Sequence, residues 1–138
     1  MALVSLIEIK PTVSPISFGK KIQICYRVSD RRNKDDQHMK RFRIFRAYNK
    51  GRRAISLQFH GIRLHGTKDN FIINAKSELK DFDFLPYGAV TRGYEFEDDD
   101  IILMLKLKKE KDGRYMPPVV DVAFIEPNGK LYIQKVQL

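Results

Sequence analysis

Cysteine is almost missing from this sequence, tryptophan is missing altogether, and there are only three histidines. With Cys25 alone no intramolecular disulfide forms, which fits a reducing compartment. The histidines do not make a metal site. On a regular strand His60 and His65 point to opposite faces, His38 sits in a polar connection, and zinc needs three or four converging ligands. Long hydrophobic runs are absent as well. The apolar stretch within residues 1–10 is broken by Glu8 and Lys10 and lacks a basic start, so it is neither a signal peptide nor a membrane span. Ala2 excludes N-myristoylation, which needs glycine there. The expectation is an intracellular protein, in cytoplasm, nucleus or the interior of a particle.

Catalytic signatures are equally scarce. No glycine-rich phosphate loop, nucleophile elbow or paired-histidine zinc helix occurs. Cys25 lies between Ile24 and Tyr26 on the polar side of an alternating segment. Arg27 on that side favours a thiolate, but no base is placed beside it, so the cysteine reads as structural. The acidic tract Glu95, Glu97, Asp98, Asp99, Asp100 lacks the spaced ligands and glycine bend of a calcium loop and reads as a turn. A non-catalytic protein without metal or cofactor is therefore expected.

What the sequence does have is a period of two. The 138 residues, 43% of them hydrophobic, suit one domain able to bury a core. In 20–28 the residues Ile22, Ile24, Tyr26 and Val28 alternate with Lys21, Gln23, Cys25 and Arg27. In 40–48, Phe42, Ile44 and Tyr48 alternate with a face that holds Arg41, Arg43, Phe45 and Ala47. The triplet Asn49-Lys50-Gly51 reads as a hairpin turn into Ile55, Leu57 and Phe59, and the phase slip at His60-Gly61 predicts a bulge. Further strands are expected in 70–75, 88–97, 101–107, 119–125 and 131–136, the run from Ile101 being central because it is apolar on both faces. Only 74–83 has any helical pattern. The fold class is all-β: a single antiparallel sandwich or barrel-like domain of about eight or nine short strands spanning 1–138, with little helix.

Charge supplies the functional lead. Net charge is +9, and residues 1–53 hold 14 Lys and Arg against 4 Asp and Glu, while the remainder holds 12 against 13. Between Arg31 and Arg53 ten basic residues face only Asp35 and Asp36. Such segregation points to an anionic partner met by the strand-loop-hairpin region 20–60. If strands 20–28, 40–48 and 54–60 pair in that order, Lys21, Arg27, Arg41 and Arg43 share an exposed surface with Ser56, Gln58 and His60. Phe45 then offers a stacking ring. Arg31, Arg32 and Lys34, in a mobile 29–40 loop, rim one edge, and Lys50, Arg52 and Arg53 rim the other.

With no recognition helix in view, RNA or single-stranded DNA is the first expected partner. One alternative is a small self-assembling structural protein of viral matrix type on an anionic membrane, favoured if Phe84, Leu85 and Tyr87 are uncovered. Another is an adaptor for an acidic protein. No small-molecule substrate is indicated.

Overall fold

The alternation in the first basic segment becomes strand β1, Ile22–Arg32, with Ile24 and Tyr26 buried and Lys21 and Arg27 exposed. The computed structural model describes residues 21–32, 38–73 and 81–138. Within them follow β2 (Met39–Asn49), β3 (Ile55–Leu64), β4 (Asp83–Leu85), β5 (Tyr94–Glu97), helix α1 (Asp98–Leu105), β6 (Val119–Ile125) and β7 (Leu131–Gln137). The strands form two antiparallel sheets, one ordered β1-β2-β5 and the other β4-β3-β6-β7. The all-β, sandwich-like class expected from the alternation is the one observed.

The two sheets meet through aromatic rings, which carry large apolar areas and prefer offset or edge contacts. Tyr26 and Phe45 stack within the first sheet at 5.3 Å, and Phe45 reaches Phe59 of the second at 5.9 Å. Phe59 in turn meets Phe96 and the edge of Phe124. Ile24, Leu57, Ile62, Val120, Val122 and Val136 complete the layer. Each such side chain contributes roughly 1.5–3 kcal/mol on burial.

Three expectations are corrected here. First, the segment after Asn49 is not a hairpin. β3 leaves the first sheet and pairs with β4 and β6, because the free edge of β2 is taken by β5. Ser56, Gln58 and His60 therefore lie in the other sheet from Arg27 and Arg41. Second, Ile101–Leu105 is helical, not a central strand. Asp98, Asp99 and Asp100 occupy its first turn, where carboxylates offset the amide end of the helix dipole. Ile101 and Leu105, four residues apart, supply its buried stripe. Third, Arg31 and Arg32 belong to β1 and not to a loop. Lys34 lies outside the described residues, as does most of the 74–83 helical pattern, and the end of that pattern, Asp83, is in β4.

The bulge at His60-Gly61 is present: pairing with β6 shifts between Phe59 and Gly61. Gly61 has φ +145°, and a Cβ there would come within 2.8 Å of the Ile72 carbonyl oxygen. Only glycine fits both the dihedral and the approach. The extra residue turns His60, Arg63 and His65 to the same side. Thus His60 meets the Phe71 ring, Arg63 lies over that ring at 4.2 Å, and Asp121 takes both Arg63 and, at 2.7 Å, the His65 Nδ1. Among the described residues no helix is long and apolar enough to cross a membrane, and no group of three His, Cys, Asp or Glu could hold a metal ion.

Candidate functional site

Strand register decides which basic side chains are free. In β2 the core face holds Arg43, Phe45 and Ala47, each opposite a core-side residue of β1: Val28, Tyr26 and Ile24. Phe45 is fully buried and Arg43 is 2% exposed, so neither lies on an anion-binding surface. The alternation misleads because β2 is central and apolar on both faces: Ile44, on the outer face, is as buried as Phe45. Ring size selects the inward set, since Phe45 fits between Tyr26, Phe59 and Phe96.

Arg43 is instead a structural hub. Its Nε donates to Asp98 Oδ1 at 2.6 Å, Nη1 donates to the Tyr26 hydroxyl, and Nη2 donates to the Tyr115 hydroxyl at 2.8 Å. Tyr115 donates to the same Asp98 carboxylate, closing a ring that ties α1 and the 115 segment to the sheet. Burial, the largest single influence, would lower the pKa of Arg43, but the hydrogen bond to Asp98 together with the charges of Asp98, Tyr26 and Tyr115 outweighs it and the guanidinium is held charged. Burial and the hydrogen bond to Asp98 push Tyr115 up to about 12.

Two further predicted cations are matched by carboxylates. Arg41 forms a two-point pair with Asp30, at 2.9 and 3.3 Å, and this bond holds the Asp30 carboxyl below its usual range. Arg31 pairs with Glu95 and lies over Phe42. Lys21, Arg27, Arg32, Lys50, Arg52 and Arg53 are exposed and have no carboxylate partner among the described residues.

Of these six, four collect at one end of the sandwich. The Lys50 amide donates to the Lys21 carbonyl at 2.8 Å, setting the two side by side, and Arg52 and Arg53 follow directly. Asn49, completely buried, organises this tip. Its Nδ2 donates to the carbonyls of Arg53 and Leu85, its Oδ1 accepts from Gly51, and its backbone exchanges bonds with Gly88 and Ala89. The 85–89 loop is thereby fastened to the basic turn. On or beside that loop stand two uncovered rings, Tyr87 at 70% and Phe84 at 68% exposure, while Leu85 points inward and is buried. Arg27 is six residues along β1 from Lys21, about 20 Å of extended chain, and Arg32 lies farther still.

Sequence reasoning passed over two contributors. Asn49 read as an ordinary turn residue, although an Asn before Lys-Gly can bond to backbone on both sides. Arg46, on the outer face opposite Cys25, had no assigned role. Its guanidinium lies against Gly93, where a Cβ would approach Nη2 to 2.8 Å. Burial pushes the Cys25 thiol up, against the opposing charges of Lys50 and Arg46, which suits an unreactive cysteine. No protein-family model, curated protein or solved structure matches the chain, so function is read from these side chains.

Proposed function

We propose that this protein binds single-stranded nucleic acid, RNA first, through the tip formed by Lys21, Lys50, Arg52, Arg53, Tyr87 and Phe84. The observation that carries the reading is the Asn49 clamp, which fastens the 50–53 turn, itself bonded to Lys21, to the loop that bears Tyr87 beside Phe84; the four cations there have no carboxylate partner among the described residues, and both rings are exposed. Cations meet phosphate, and aromatic faces stack bases with little regard to sequence. A partner of this kind also uses the charge segregation seen in the first 53 residues. Binding is then weakly sequence-specific and steeply dependent on salt.

The test is fluorescence anisotropy with a labelled single-stranded oligoribonucleotide over a salt series. Three or four phosphate contacts give a log–log salt slope of about −2 to −3. The Arg52→Glu/Arg53→Glu double variant should abolish measurable binding, and Tyr87→Ala should weaken it by about 1–3 kcal/mol. Unchanged affinity in the double variant would overturn the reading.

A second reading is favoured by the same exposure of Phe84 and Tyr87, joined by Val90 at 49%: a structural protein resting on an anionic membrane, with rings at headgroup level and each basic residue adding about 1 kcal/mol. Sedimentation with phosphatidylserine liposomes separates the two. Pull-down by liposomes without RNA binding selects the membrane.

A further inference from the structure

Among the described residues β1 lies at the edge of its sheet, and its ladder to β2 is satisfied by alternate residues. The Lys21 carbonyl bonds toward β2, whereas both the N–H and the C=O of Ile24 point away and bond to the side chain of Gln134, at 3.0 and 2.9 Å. The antiparallel alternation then turns the backbone groups of Tyr26 and Val28 outward as well. No second Gln134 reaches them. Among the described residues these groups have no hydrogen-bonding partner on that side. They border a cleft of about 390 Å3 walled on the far side by Pro117, Gln137 and Leu138 and on the outer rim by Arg27.

Two properties define what fits. A row of alternating donors and acceptors along an open strand is matched by another extended backbone. Charge sets its composition. The guanidiniums that line the cleft are Arg27, Arg41 and Arg43, and the carboxylates that meet the last two are Asp30 and Asp98. Arg27 has no carboxylate partner among the described residues, so the rim attracts acidic side chains and repels a second copy of its own edge. Val28, 42% exposed, offers an apolar contact in the same cleft.

We infer that the β1 edge at Tyr26–Val28 takes up a short, extended, acidic peptide segment of a partner protein by strand addition. The peptide's backbone pairs with Tyr26 and Val28, alternate side chains enter the cleft beside Pro117 and Leu138, and the others carry carboxylates to Arg27. This site lies well along β1 from the Lys21 tip and works independently of it.

The test uses the blocked peptide Asp-Val-Asp-Val-Asp, with Lys-Val-Lys-Val-Lys as the control. The acidic peptide should slow amide exchange at Tyr26 and Val28, and the basic one should not. Val28→Pro removes an outward N–H while leaving the β2 ladder intact, and should weaken binding at least tenfold. Arg27→Glu should weaken it several-fold. Should Val28→Pro not fold, amide exchange and Arg27→Glu decide alone. Equal binding of both peptides, protection elsewhere, or full affinity in a folded Val28→Pro overturns the inference.

Two further outcomes also overturn it. If RNA displaces the peptide from the Arg52→Glu/Arg53→Glu variant, the cleft is a general anion site. If the protein forms a concentration-dependent dimer that Val28→Pro abolishes, the occupant is a second copy. Peptide binding that survives in the double variant while RNA binding is lost keeps this inference apart from the nucleic-acid reading.

Discussion

Arg43 and Arg53 stand ten residues apart in one basic segment, yet they belong to different kinds of region. Arg43 is enclosed in β2 by one carboxylate and two phenols, while Arg53 stands at an exposed tip with no carboxylate partner among the described residues. The strand arginines Arg31, Arg41 and Arg43 are each answered by an acid, two of them supplied by the distant tract at Glu95 and Asp98. A count of charge along the chain does not separate spent cations from available ones. The folded register does.

The widest separation between the regions should come from Arg43→Met. It leaves the half-buried Asp98 without its cation and should destabilise the fold by about 3–5 kcal/mol in urea melts, while the folded fraction still binds RNA. A loss below about 1 kcal/mol would place Arg43 among the available charges. The same ring has a pH signature. The pKa of Tyr115 is raised above the unfolded value of 10, to about 12. Its contribution is complete below pH 10 and is lost as pH rises through 12. Urea melts from pH 9 to 12 should show that loss, and Tyr115→Phe should lessen it, the remainder belonging to Tyr26, Tyr94 and Tyr132, which are raised as well.

Asn49→Ala sharpens the comparison from the other side. Five bonds depend on this buried residue: two of its side-chain bonds shape the basic turn itself, and one side-chain and two backbone bonds join the turn to the 85–89 loop. A destabilisation of about 2 kcal/mol is expected, with RNA affinity falling although no cation or ring has been removed. Retained affinity would show that the loops keep their places without the clamp. The smallest stability change belongs to the Arg52→Glu/Arg53→Glu variant, within about 0.5 kcal/mol of the parent, against the complete loss of RNA binding. A large drop in melting temperature there would mean that the tip arginines, too, serve the fold.

How much of this was legible in the sequence follows from the chemistry of each segment. In β1 one face is apolar and the other polar, so its phase could be read directly, and Lys21 and Arg27 are exposed as expected. In β2 both Ile44 and Phe45 are buried, so alternation alone could not choose a face, and Arg43 and Phe45 were set on the wrong one. Helix α1 is only eight residues long and starts with three aspartates, a pattern shared with a turn followed by a strand. The departure of β3 to the second sheet depends on β5 occupying the edge of β2, a pairing between segments about 50 residues apart that no local signal carries. The basic tip was partly legible: Lys50, Arg52 and Arg53 were marked as a rim, while the partnership with Tyr87 came only with the Asn49 bonds.

Gln134 caps the β1 edge at Ile24 across 110 residues of sequence. During synthesis the N-terminal sheet therefore emerges long before the side chain that covers its margin. Until the last strand leaves the ribosome, the amide and carbonyl of Ile24 are open to any passing strand. The β1-β2 pair thus stays unfinished until β7 is made, and a nascent chain halted before β7 should be far more prone to aggregate than one that includes it.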